Sequence, residues 1–128
     1  MDILFLIGRI LFGGYFVKSA WNHFMKAKGL AGYAASRGVP LPTLAVIATG
    51  FLLLIGGLGI LCGVWIRWAV FSLVLFLVPA TFYMHPYWRD SDPNMKMMNS
   101  VNFWKNLALL GAVLVLLAIP EPWPFSLL

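Results

Sequence analysis

The stretch Thr43-Leu-Ala-Val-Ile-Ala-Thr-Gly50-Phe-Leu-Leu-Leu-Ile-Gly-Gly-Leu-Gly-Ile60-Leu-Cys-Gly-Val64 contains no charged side chain. About 20 consecutive apolar residues wound as a helix cross the hydrocarbon core of a bilayer, and this stretch is long enough. Within it Gly56, Gly59 and Gly63 recur at i, i+3 and i+7, and Gly59 and Gly63 form a GxxxG pair. Glycine weakens a helix in water, but between helices in lipid it makes a flat groove that lets a neighbouring backbone approach. The stripe reads as a helix-packing surface, with a flat lipid or quinone ring as the alternative occupant.

Working outward, three further spans appear. Residues 3–24 form the first. A basic start followed by an unbroken apolar run would mark a signal peptide. The chain instead opens Met1-Asp2 and Arg9 interrupts the run, so a retained helix is expected. Gly13 shares the face of Arg9, which can reach a backbone carbonyl or a lipid phosphate, while Lys18 and Asn22 lie opposite. The third span covers residues 68–84, after a tight turn marked by Trp65, Arg67 and Trp68. Pro79 inside it removes a backbone hydrogen bond and predicts a kink, and Pro86 stops the helix at His85. The fourth span covers residues 101–119, capped by Asn99 or Ser100, and Pro120-Glu-Pro-Trp-Pro124 predicts a stiff extended tail. Of the two long loops, residues 25–42 include Leu30 to Ser36, which can form a short interfacial helix stopped by Gly38. The other, residues 86–100, is charged and carries Met95, Met97 and Met98.

The composition agrees. Of 128 residues 62% are hydrophobic and 10% charged, with mean hydropathy +0.90. Soluble domains carry about 25% charged residues. The expected fold is an all-α, antiparallel four-helix bundle integral to the membrane, one domain over residues 1–128. The net charge of +5 forms no basic stripe, which excludes nucleic-acid binding. Cys62 is the single cysteine, so there is no internal disulfide or redox pair, and it reads as a small apolar filler.

Four spans place both termini on one side and both loops on the other. The loop side then carries Lys18, Lys26, Lys28, Arg37, Arg89, Lys96 and Lys105, against Arg9 and Arg67 on the terminus side. The positive-inside rule puts the loops in the cytoplasm and the termini outside.

This topology gathers Lys18, Asn22 and His23, then His85 and Trp88, then Asn102, Lys105 and Asn106 at one depth. An ionisable residue in lipid faces a protein interior, pairs, or snorkels. Lys105 shares a face with Ala108 and Ala112, small residues that suit a close helix neighbour, so an inward orientation is expected, with a snorkelling lysine as the plain alternative. A start near residue 101 would put Lys105 in the first helical turn, where the macrodipole is positive. The candidate ligand-binding residues are therefore Lys105, Asn106, Asn22, His85 and Lys18. A quinone carbonyl, a lipid phosphate or a partner carboxylate fits their chemistry.

Several motifs resemble the DoxX family of small four-helix membrane proteins. They are Arg9, Tyr33-Ala-Ala-Ser-Arg-Gly-Val-Pro40, Gly56-Gly-Leu-Gly-Ile-Leu61 and Lys105-Asn-Leu-Ala-Leu-Leu-Gly111. The resemblance implies a prokaryotic cytoplasmic membrane and association with respiratory or redox complexes, the family being named for a quinone-linked thiosulfate-oxidising enzyme. Leu53, Leu54 and Ile55 stand where the family often has an acidic residue, and Ser19, Ala20 and then His23-Phe24 where it often has a glycine and a lysine. Without an intramembrane carboxylate, catalysis by the chain alone is not expected.

Three functions compete. The first is a non-catalytic subunit or binding module of a redox complex, holding a quinone or lipid near Lys105. The second is an oxidoreductase subunit, with haem between His23 and His85 or copper on Met84, Met95, Met97 and Met98. The third is a structural subunit packed on other membrane proteins.

Overall fold

A computed structural model describes residues 1–128. It is all helix: α1 (Asp2–Met25), α2 (Ala27–Ser36), α3 (Pro42–Cys62), α4 (Ile66–Met84), a 3-10 turn at Tyr87–Arg89, α5 (Pro93–Val115) and a closing 3-10 turn at Leu116–Ala118. The chain has four helices long and apolar enough to cross a membrane, namely α1, α3, α4 and α5, the last two extended by their 3-10 turns. The expected all-α membrane bundle is what the chain forms.

The short α2 is the interfacial helix read in the first loop, extended back to Ala27. It ends as expected at Gly38, whose φ of +83° is open to glycine at little cost. The Gly38 N–H donates to Ala35 O and the Val39 N–H to Ala34 O, satisfying carbonyls of the last turn.

α5 departs from expectation. It begins at Pro93, not near residue 101, because Asp92 caps it: the carboxylate accepts from the Met95 N–H at 3.4 Å, and Pro93 occupies a first-turn position needing no donor. Asn99 and Ser100 are therefore interior helix residues, and the second loop shrinks to residues 85–92. Lys105 lies in the fourth turn rather than the first, about 18 Å along the axis from Pro93, so the helix dipole does not act on it.

The inward face of α5 also differs from expectation. Lys105, Ala108 and Ala112 are exposed, while Asn99, Phe103, Asn106 and Val113 are buried. Burying a phenylalanine and a valine removes far more apolar surface than burying two alanines, and that larger gain orients the helix.

Packing runs α1 on α3, α3 on α4 and α4 on α5, with α2 laid on α3. The glycines of α3 divide between two neighbours. A Cβ at Gly57 would meet Val17 N of α1 at 2.8 Å, and one at Gly13 of α1 would meet Leu61 N at 2.8 Å and Gly57 O at 2.9 Å. On the other face, Gly56 abuts Leu73 and Gly59 abuts Ala69 of α4. Gly63, read from the sequence as the third member of this stripe, instead terminates α3 with φ +71°.

The tail is not extended. It folds back so that Trp123, 2% exposed, packs edge-on against Phe5. Arg9, 5% exposed, holds it: Nη1 donates to Pro124 O at 2.6 Å, Nη2 to Phe125 O at 3.0 Å and Nε to Leu61 O at 3.3 Å. The carbonyl option for Arg9 is thus the one realised, with three carbonyls in place of a counter-ion. Cys62 is half-buried at the end of α3.

Candidate ligand groove

No extensive helix contact joins α1 to α5. Behind that gap lies a cavity of about 510 Å³, within the roughly 300–1,000 Å³ of small-molecule sites. Each wall follows from helical spacing. α1 contributes Tyr15, Ser19 and His23 at i, i+4 and i+8, and α3 contributes Val46, Thr49 and Leu53. The floor is Phe76, Pro79, Ala80 and Tyr83 of α4. α5 adds Lys105, Asn106 and Leu109, while Leu30, Tyr33 and Ala34 of α2 form the loop-side roof. The lining is mainly apolar.

Three of the five residues expected from the sequence border this groove: Lys105, Asn106 and His85. Lys18 is exposed and Asn22 half-buried, and neither lines it. His23 joins the groove, whereas Trp88 packs edge-on against Phe103. The methionines do not converge, since Met84 lines the groove while Met97 and Met98 point outward from the first turns of α5.

The polar groups have defined partners. His23 Nδ1 lies 2.9 Å from Ser19 O, an acceptor, so Nδ1 carries the proton and Nε2 is left free. At the roof, a network joins four segments. Asn99 Nδ2 donates to Asp90 Oδ2 at 2.7 Å, because a carboxylate only accepts. Asn99 Oδ1 therefore accepts, from His85 Nδ1 at 3.0 Å and from the Tyr33 hydroxyl at 3.3 Å. Arg37 grips Asp90 with two bonds, at 2.9 and 3.5 Å, and its Nε donates to Met84 O at 3.3 Å. Hydrogen bonds from Arg37, and then from Asn99, hold the Asp90 carboxyl below its ordinary range, and Asp90 in turn raises Arg37. This network fastens α2 over the groove.

Asn106 is different. It is 7% exposed, lines the groove, and its side chain makes no hydrogen bond within the chain. Lys105 Nζ has one long contact, 3.5 Å to Asn102 Oδ1. The one fully buried side-chain polar atom without a partner is Trp123 Nε1, so the Asn106 amide is not sealed off and is open to whatever fills the cavity.

Sequence reasoning missed Tyr33, Arg37, Asp90 and Asn99 as site-forming residues. Once α5 is started at the Asp92-Pro93 cap, Asn99, Phe103 and Asn106 fall on one helical stripe, and that signal was available.

Bundle and groove together define a multi-pass helical membrane protein with an internal, mainly apolar cavity. The DoxX family model matches residues 4–86, and the chain belongs to the DoxX family. It is 32% identical over 125 residues to "Inner membrane protein YphA" of Escherichia coli (strain K12), a match covering 98% of this chain and 88% of that protein. No solved structure matches. The protein is a multi-pass protein of the inner membrane, in contact with its lipid. The family match ends before α5, so Lys105 and Asn106 lie outside it.

Proposed function

We propose that the protein is a non-catalytic binding module that holds a quinone or a lipid in the groove, as a subunit of a membrane redox complex. The observation that carries this reading is the unpartnered Asn106 amide beside Lys105 in a largely apolar cavity open between α1 and α5. A ligand with an apolar body and an oxygen-bearing head satisfies both halves of such a site. The roof network lies on the loop side, which the balance of basic residues assigns to the cytoplasm.

The test is extraction. Protein purified in mild detergent should carry a quinone or lipid enriched over an unrelated bundle handled the same way. Ala80→Phe, which fills the groove from α4, should lose it while remaining folded. Absence of enrichment in the wild type would sink the reading.

One observation favours a second reading. His23 and His85 border the same groove with Nδ1 engaged and Nε2 free, the arrangement that metal-ligating histidines adopt. His23 and His85 are the residues that would hold a haem, which would supply one-electron chemistry. A Soret band in the purified protein, lost in His23→Ala and His85→Ala, decides between the two.

A further inference from the structure

The geometry points to an anionic head on the groove's occupant: an amphiphile bearing a carboxylate or a phosphate, recognised by Lys105 and Asn106 in preference to a neutral one of the same body. The inference rests on the groove being a ligand site and adds the charge of the ligand.

Four acidic residues occur in the whole chain, Asp2, Asp90, Asp92 and Glu121, and none lines the groove. Asp90 is already engaged by Arg37 and Asn99. The charged and titratable side chains around the cavity are Lys105, His23, His85 and the tyrosines Tyr15, Tyr33 and Tyr83. Lys105 is therefore the groove's one permanent charge, and it has no carboxylate partner. A lysine in the fourth turn of a spanning helix is costly to leave without an anion. The protein meets the same difficulty at Arg9 by supplying three backbone carbonyls. At Lys105 it supplies one long bond to an amide oxygen.

Asn106 adds a second donor. Asn106 adjoins Lys105 in sequence and is more than nine-tenths buried as a residue, while its amide makes no hydrogen bond within the chain and stays open to the groove. An ammonium and an amide N–H offer charge-assisted hydrogen bonds to an oxyanion, and these are roughly twice as strong as neutral ones. A neutral quinone carbonyl or an alcohol would meet the same donors without the added attraction between opposite charges. The apolar walls formed by Leu53, Phe76 and Leu109 accept the body of either ligand.

The probes are oleate, lysophosphatidate and oleyl alcohol, added to the full-length protein in nonionic detergent, with Kd measured by native mass spectrometry. Wild type should bind both anions at least about tenfold tighter than the alcohol, as expected for one charge-assisted bond in a low-dielectric site. Lys105→Met should weaken the anions to about the level of the alcohol, whose own binding falls far less because it loses a hydrogen bond but no charge attraction, while Lys105→Arg should keep a preference for anions. Lys105 is exposed, so neither variant disturbs the core, and thermal melting verifies the fold. Tighter binding of oleate identifies free fatty acid as the source of the anion, and tighter binding of lysophosphatidate identifies a lipid headgroup. Equal binding of acid and alcohol by wild type, or a preference that persists in Lys105→Met, overturns the anionic head while leaving the groove a ligand site. Failure of all three probes to bind, together with no enriched quinone, overturns the groove itself.

Discussion

Asp90 shows how a single carboxylate ties a lid to a bundle. Its bonds to Arg37 and Asn99 connect α2 to α5 across the loop-side mouth, and both partners favour the ionised form. A carboxyl whose pKa is lowered on folding binds fewer protons in the native than in the unfolded state. Its contribution to stability is therefore complete above the ordinary value of 3.8 and is lost as the pH falls through the lowered folded value. The melting temperature of wild type should drop as the pH is taken from about 5 downward. Asp90→Asn should melt lower at neutral pH and show a flatter acid limb. A variant with the wild-type acid limb would show that this pair does not fasten the roof.

The contact between α1 and α3 depends on the absence of side chains. The ideal Cβ at Gly13 lies 2.8 Å from a backbone nitrogen of α3, and backbone cannot rotate aside. Gly14, one position on, has nothing within 4 Å. Gly13→Ala should force the two helices apart and cost about 1–3 kcal/mol, as overpacking does. Gly14→Ala should be neutral or slightly stabilising, since alanine is the better helix former. Thermal unfolding in detergent compares the two directly, and equal stability would mean that α1 and α3 do not meet along this line. Gly56 and Gly59 do the same for α4, so the Gly56-Gly57 pair serves two helices at once. The small-residue pattern signals close packing, but it does not say how many partners share it.

Over the whole molecule, the helices follow one another in space as α1, α3, α4 and α5, and the groove is lined by all four together with α2. Its orientation across the membrane is testable with single cysteines in a Cys62→Ala background. Ser91, between the 3-10 turn and α5, and Leu128, 81% exposed at the tail, suit this purpose. With the loop side cytoplasmic, Ser91→Cys should resist an impermeant thiol reagent in intact cells and Leu128→Cys should react. The opposite labelling would invert the assignment and put the roof of the groove outside.

The number of spans, the stop at Gly38, the end of α4 before Pro86 and the all-α class were legible in the sequence, because hydropathy, turn chemistry and proline act over a few residues. Lys105, Asn106 and His85 border one groove as expected, but Lys105 does so from the fourth turn of α5 and not from the helix end at which the sequence placed it. What only the tertiary structure decided was which face of each helix turned inward. Ala108 and Ala112 suggested one face of α5, and the larger apolar surface of Phe103 and Val113 chose another. The pairing of Arg37 with Asp90, the burial of Asn99 and the return of the tail onto Arg9 join residues distant in sequence. Their partners are set by how whole helices pack, and no local pattern encodes that.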